Sequence, residues 1–190
     1  MTLPELAAAM AIGAMGVGIS LPALHSSLRA ARLDASVRDL RSAMIRARSE
    51  ALGRAGSVGI LFTHGVLGDG WRFYVDGGQQ GIRSTEIAAG IDTPLGDAVD
   101  LRAQHPGLRF GVLAGSPVPR IPPASGWISA SQDPIAFGAS DIYSASPRGE
   151  TSTGTIYMTD GQGMRAIVAY GPTGRLRLWR YDARRGAWLP

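Results

Sequence analysis

The side chains in this chain that could bind a metal ion or transfer protons are those of three histidines and of the aspartates in several Asp-Gly segments. The histidines are His25, His64 and His105. They are widely separated, and no HExxH pattern or regular ligand spacing relates them. Asp-Gly segments occur at 69–70, 76–78 and 160–163, but none supplies the carboxylate series and terminal Glu of an EF-hand. These segments predict turns, and the sequence indicates no metal site.

Motifs for catalysis and phosphate binding are also missing. No G-x-S-x-G segment, Walker loop or convincing carboxylate pair occurs. The 190 residues include no cysteine, which excludes disulfide frameworks, zinc-thiolate sites, thiol catalysis and iron–sulfur clusters. We therefore predict a protein that is not an enzyme, with no catalytic residue, no cofactor and no small-molecule substrate.

The charge pattern depends on arginine. All 19 basic residues other than histidine are arginines, and the formal net charge is +4. Six of these arginines lie in residues 165–190, which contain a single acidic residue. A basic C-terminal patch can attract the phosphates of nucleic acid or anionic lipid, although exclusive use of arginine is also what codon bias produces.

Within that patch, residues 175–181 form a candidate nucleic-acid surface. Strand alternation puts Arg175, Arg177 and Trp179 on one face. Guanidinium groups bind phosphates and aromatic rings stack on bases. The charge is extended by Arg180, Arg184 and Arg185. The alternative is an edge strand whose solvated arginines prevent sheet-to-sheet association, or a contact with another protein.

Residues 6–24, LAAAMAIGAMGVGISLPAL, form an uncharged apolar run. At a rise of about 1.5 Å per residue a helix of this run is about 28 Å long, just enough to cross a bilayer core of about 30 Å. We predict a transmembrane helix, since a secretory signal would have a basic segment before it. The arginine-rich flank at 29–48 would keep the body cytoplasmic by the positive-inside rule, unless a basic leader precedes Met1.

Glu5 and Pro22 are unusual residues for such a helix. A carboxylate in or near hydrocarbon costs about 2.5 kcal/mol or more unless it is paired. Glu5 therefore either meets a cation or lies at the interface, where it complements the positive end of its own helix dipole. Pro22 removes a backbone hydrogen bond and predicts a kink.

Residues 1–6, MTLPEL, followed by the apolar run, resemble the mature N-terminus of type IV pilins and pseudopilins. The resemblance implies that a prepilin peptidase removes a basic leader and that the amine of residue 1 is methylated. It also implies that Glu5 pairs with the N-terminal amine of a neighbouring subunit, and that Pro22 lets the helix melt locally during filament assembly. Met1 replaces the usual Phe, so residue 1 is either a processed N-terminus or a start codon that omits the leader.

An amphipathic helix is predicted over residues 29–53. Its apolar positions repeat at alternating spacings of four and three. They are Leu33, Val37, Leu40, Met44, Ala47 and Ala51. We expect this stripe to pack on the downstream body, and the helix to end at Gly53 and Gly56.

Short runs with period-two patterning predict β-strands over the rest of the chain. They are 57–62, 71–76, 108–113, 134–138, 155–159, 166–170 and 175–181. Turn sequences at 160–163 and 171–174 predict that the last three strands form a meander. Residues 77–106 and 114–123 are expected to be mostly irregular.

Two segments, GWRFYVD at 70–76 and GRLR at 174–177, make this layout similar to the GspH/FimT-type pseudopilins. The resemblance implies an α+β fold in which a long N-terminal helix, half membrane-spanning and half amphipathic, packs on a head of two antiparallel sheets. The chain would consist of a transmembrane and filament-core segment, 1–28, and a periplasmic head, 29–190, whose β-rich body is 57–190.

The main functional expectation is a minor pilin or pseudopilin of a type II secretion pseudopilus or type IV pilus. Such a subunit is anchored in the bacterial inner membrane, and its partners are other subunits and the prepilin peptidase. The alternative is a DNA-binding minor pilin for natural transformation, because a G-R-x-R element matching Gly174, Arg175 and Arg177 is implicated in DNA binding in that branch. A third alternative, a signal-anchored periplasmic protein, predicts no cleavage at residue 1 and no dependence on Glu5.

Overall fold

A computed structural model describes residues 3–190, with the backbone alone for residues 3–23 and for Leu67. The chain divides into two compact units, Met1–Arg32 and Leu33–Pro190. Helix α1 (Leu3–Arg54) contributes residues to both. In the first unit, Leu24 and Leu28 are 57% and 48% exposed. Within the part of the chain that the structure describes, no helix is both long enough and apolar enough to cross a membrane.

The second unit contains two short helices and a series of antiparallel strands. The helices are α2 (Ser84–Ala88) and α3 (Leu101–Gln104). The strands are β1 (Val58–Thr63), β2 (Gly70–Val75), β3 (Thr93–Pro94), β4 (Val99–Asp100), β5 (Arg109–Phe110), β6 (Val118–Pro119), β7 (Trp127–Ile128), β8 (Ile135–Ala136), β9 (Ile142–Ala145), β10 (Gly154–Thr159), β11 (Met164–Tyr170), β12 (Arg175–Asp182) and β13 (Ala187–Leu189).

The strands form two main sheets and one ribbon. The first sheet has the order β3-β2-β1-β9, with β4 also paired to β2. The second has the order β13-β12-β11-β10-β5, with β8 also paired to β10, and β6 pairs with β7 alone. The α+β class is therefore as predicted. The meander of β10, β11 and β12 is confirmed, and β13 extends it.

The apolar stripe of α1 packs into the main core, as its spacing predicts. All six stripe residues, from Leu33 to Ala51, are at most 3% exposed. They share one cluster with the inward faces of both sheets, including Ile60 and Phe73 of the first and Ile156 and Ile167 of the second. An amphipathic helix packs in this way because its apolar face is removed from water while its charged faces remain in contact with water. An ion pair between Arg165 and Asp34 at 2.6 Å and a hydrogen bond between His105 Nε2 and Asp39 Oδ2 at 2.9 Å border this packing.

The second sheet has a core on each of its faces. Alternate residues of β10 and β11 point to opposite sides, so Met158 and Ile167 enter the main cluster while Tyr157 and Val168 enter a second one. The ribbon of β6 and β7 covers that second cluster, and the Trp188 indole donates a 2.7 Å hydrogen bond to the Pro119 carbonyl. Burial of both faces of the sheet explains why β10 and β11 have buried apolar side chains at successive positions, at 156–158 and 166–169.

Several strand boundaries differ from the prediction. The strand expected at 108–113 is confined to β5, because the chain leaves the sheet and buries Val112 in the second cluster. The strand expected at 134–138 shortens to β8. Sequence patterning missed β9 and β13, which pair with β1 and β12. It also missed four strands of two residues each, β3, β4, β6 and β7.

The end of α1 is a Schellman cap with alanine in the left-handed position. Gly56 N–H donates to the Ala51 carbonyl at 3.3 Å and Ala55 N–H to the Leu52 carbonyl at 3.4 Å. Ala55 has φ of 52°. Glycine is the usual residue there because it lacks the Cβ that makes this conformation unfavourable. Gly53 and Gly56, which are expected to end the helix, thus lie on either side of Ala55, and it is Ala55 that adopts the left-handed conformation.

Replacing Ala55 with glycine is expected to stabilise the second unit by about 1 kcal/mol, because a left-handed alanine is strained by about that amount. Urea unfolding of a fragment comprising residues 24–190 measures the change. Ser49→Gly is the control, since Ser49 is an exposed residue inside α1, where glycine should destabilise by about 0.5 kcal/mol. Destabilisation by both substitutions would contradict the cap geometry.

Candidate anion-binding cleft

A cleft of about 570 Å³ lies between the C-terminal half of α1 and strand β12. The helix supplies Arg41 and Arg48, and the strand supplies Arg175 and Arg177. The other lining residues are Ile45, Gly174, Leu176 and Leu178. No carboxylate is among these described lining residues, so no acidic side chain of the cleft compensates the charge of its arginines. Guanidinium forks of this kind bind phosphate or carboxylate oxygens.

Arg48 is held under the turn that precedes β12. Its Nη1 lies 3.4 Å from the Gly174 carbonyl oxygen, to which it donates. Its Nε is buried and has no hydrogen-bond partner among the described residues. A buried donor without a partner costs about 1–3 kcal/mol, so a ligand oxygen that reaches this group gains from satisfying it.

Two structural features favour glycine at position 174. Its φ is 62°, the left-handed conformation that closes the turn after β11. A Cβ at this position would lie 2.7 Å from the Arg48 Cζ. Gly149, with φ of 85°, approaches the same guanidinium, and its Cβ would lie 3.2 Å from the Arg48 Nη2. The glycine of the G-R-x-R segment is therefore explained by backbone conformation and by the position of Arg48.

The strand residues alternate as predicted. Arg175 and Arg177 are exposed, and Leu176 and Leu178 pack on the main cluster. Trp179 shares the arginine face but packs against the second cluster, and its buried indole nitrogen has no described partner. The structure thus leaves the two arginines available to an anion, while the predicted stacking platform at Trp179 is largely covered.

The other predicted residues lie around or beyond this cleft. Arg180 is exposed in β12 opposite Leu189 of β13. Arg184 and Arg185 are exposed in the turn between β12 and β13, where their N–H groups donate to Asp182 at 3.0 and 3.3 Å. None of these three arginines lines the cleft.

The structure gives no side-chain positions for the three N-terminal residues predicted to act in processing and filament assembly. Met1 lies outside the described residues. Glu5 and Pro22 belong to α1, but their side chains are outside the described part of the chain. The structure therefore provides no geometry for the ion pair or the local melting that the pilin resemblance implies.

Sequence reasoning missed Arg41 and Arg48 as members of the basic site. A signal for them exists, since each follows a buried stripe residue, Leu40 or Ala47, by one position. Residues seven apart lie on nearly the same side of a helix, so both arginines border the buried stripe on the same side. The sequence does not show that this side of α1 lies next to β12.

Comparison of the chain with protein-family models, with curated proteins and with solved structures gave no match.

Proposed function

We propose that the chain is a minor pilin or pseudopilin, a structural subunit of a type II secretion pseudopilus or a type IV pilus. The observation that carries the proposal is α1, which runs from Leu3 to Arg54 and whose stripe from residue 33 onward is buried in the β-rich unit. A helix that is integral to a head at one end and uncharged over residues 6–24 suits a filament in which the uncharged parts of neighbouring helices associate.

The exposed residues of α1 support this role. Leu24 and Leu28 lie one turn apart on the same side of the helix, and they are 57% and 48% exposed. Neighbouring subunits would bury them. In this proposal residues 6–24 anchor the chain in the bacterial inner membrane before assembly, the β-rich unit lies in the periplasm, and a prepilin peptidase prepares a methylated N-terminus. Glu5 then pairs with the N-terminal amine of the adjacent subunit.

The test is incorporation of the chain into filaments sheared from a bacterium that encodes it. We expect a Glu5→Ala variant to be depleted about tenfold or more, because loss of an ion pair in an apolar setting costs at least the 1.4 kcal/mol that a factor of ten represents. Glu50→Ala is the matched control, since Glu50 lies in the same helix and pairs only with Arg54 at 2.9 Å among the described residues. Absence of the unaltered chain from filaments would refute the proposal.

A second candidate function is DNA binding during natural transformation, favoured by the four arginines of the cleft. Because Trp179 is packed against the second cluster, binding would depend on phosphate contacts and vary little with base sequence. This function is compatible with membership of a filament, and the two are tested separately.

Replacing both Arg175 and Arg177 with alanine is expected to weaken binding of a labelled DNA duplex about tenfold or more at low salt, since each charged hydrogen bond contributes about 1.5–3 kcal/mol. The slope of log K against log salt should fall by about 2. Fluorescence anisotropy with the 24–190 fragment measures both quantities. The control is Arg184→Ala/Arg185→Ala, which removes the same charge outside the cleft. Equal losses of DNA affinity in the two double variants would show that the effect depends on net charge and not on the cleft.

A further inference from the structure

His64, Asp133 and Asp141 form a mixed imidazole and carboxylate cluster in the second unit, here termed the His64 cluster. The His64 Nε2 atom lies 3.3 Å from the Asp133 Oδ1 atom and 3.7 Å from the Asp141 Oδ2 atom. One potential ligand atom from each residue lies within 4.8 Å of those of the other two. His64, which is distant in sequence from both aspartates, thus lies close to the two carboxylates.

The fold of the first sheet creates this convergence. His64 directly follows β1, and Asp141 directly precedes β9. Because β1 and β9 are antiparallel neighbours, the end of one strand meets the start of the other, and Phe62 N–H donates to the Asp141 carbonyl at 3.1 Å. Asp133 enters from the loop before β8, where its Oδ1 also accepts from the Ile135 N–H at 2.8 Å.

We propose that the His64 cluster binds a divalent transition-metal ion of the zinc type. Around a zinc ion with bonds of about 2.1 Å, tetrahedral ligand atoms lie about 3.4 Å from one another. The two distances from the His64 nitrogen match that spacing closely, so an ion could enter with small side-chain adjustments.

The electrostatics of the cluster favour a cation. A single imidazole faces two carboxylates, and its proton can offset only one negative charge. The side chains of His64 and Asp141 are 31% and 25% exposed, so water screens their interactions only in part. A divalent ion offsets both carboxylate charges.

The chemistry of the ligands selects the class of metal. Ca²⁺ and Mg²⁺ prefer oxygen ligands alone, whereas an imidazole nitrogen with carboxylates suits zinc and neighbouring first-row metals. The protein supplies three ligands. His64 and Asp133 also line a cavity of about 580 Å³, which leaves room for water as the fourth ligand.

Calorimetric titration of the full chain in mild detergent, after removal of metals with EDTA, tests this site with Zn²⁺ as the probe. We expect one ion to bind per chain and to raise the unfolding temperature, because a ligand that binds only the folded state stabilises it. His64→Gln should weaken Zn²⁺ binding about tenfold or more. Asp141→Asn, which removes a different ligand, should do the same and guards against a folding defect in the first variant.

Asp39→Asn is the control, because it removes a carboxylate from the only other described close His–Asp contact, that with His105 at 2.9 Å. It should leave Zn²⁺ affinity unchanged, and Ca²⁺ should produce no heat from the His64 cluster. Absence of saturable Zn²⁺ binding, or equal binding by the unaltered chain and by both cluster variants, would overturn the proposal and leave the cluster as an ion pair. The site is independent of the filament function proposed above.

Discussion

Replacing Leu40 with alanine is expected to lower the free energy of unfolding of the second unit by about 4 kcal/mol. Leu40 is 0% exposed and belongs to the main cluster, where α1 meets both sheets. The loss combines the transfer free energy of the deleted atoms with the cavity that they leave. The surrounding residues come from a helix and two hydrogen-bonded sheets, which can collapse only partly into the space.

Urea unfolding of the 24–190 fragment, followed by circular dichroism, measures this loss. Ile45→Ala is the matched control, because Ile45 lies in the same helix and is 48% exposed. It should cost less than about 1 kcal/mol, since much of its apolar surface already contacts water. Similar costs for the two substitutions would show that the predicted stripe is not what attaches α1 to the sheets.

The second large effect is expected from Phe62→Ala, at about 3–5 kcal/mol. Phe62 of β1 is 3% exposed and its ring lies 6.0 Å from those of both Phe110 and Phe137. The first contact is edge-on at 80° and the second is stacked at 19°. Phe137 in turn contacts Tyr143 of β9 edge-on at 5.7 Å. These rings join the first sheet to the second, so the truncation loosens the contact between sheets.

The same unfolding experiment checks this expectation, with Trp127→Ala as the control. Trp127 is 64% exposed, and its removal should cost less than about 1 kcal/mol despite the larger side chain. A Phe62→Ala/Phe137→Ala double variant should also show a coupling of about 0.5–1.5 kcal/mol, the usual contribution of an aromatic pair beyond its buried area. Strict additivity would indicate that the stacked contact contributes nothing of its own.

Together, the two substitutions separate the interfaces of the core. Leu40 reports on the packing of the helix, and Phe62 reports on the packing between the sheets. A filament subunit needs the first interface in particular, because force on the N-terminal part of α1 would reach the β-rich unit through it. Under the proposed filament function, Leu40→Ala should therefore also reduce incorporation into filaments, whereas Ile45→Ala should not.

Local patterning predicted much of the fold because it reflects which side of an element is buried. The stripe from Leu33 to Ala51 is buried at every predicted position. The alternation in β12 likewise separated the exposed Arg175 and Arg177 from Leu176 and Leu178, which pack on the main cluster. Both results follow from periods of 3.6 and 2.0 residues, which depend on the backbone of a single element and need no knowledge of its neighbours.

The candidate sites could not be predicted in the same way. Half of the arginine cleft, Arg175 and Arg177, lies in one recognisable strand, but Arg41 and Arg48 join it only through the packing of α1 beside β12. The spacing of the histidines predicts no metal site. The pairing of β1 with β9 nevertheless brings His64 to Asp141, and the loop before β8 adds Asp133.

The sequence by itself determined the amphipathic helix and its buried stripe, the longer strands, the basic C-terminal strand and the absence of any cysteine chemistry. The tertiary structure alone decided the order of strands in the sheets and the covering of Trp179. It also decided which residues meet in the arginine cleft and in the His64 cluster. The physical reason is that periodicity is a local property of each segment. Strand pairing and helix docking depend instead on how distant surfaces fit together, and residues at two ends of a contact carry no shared local signal.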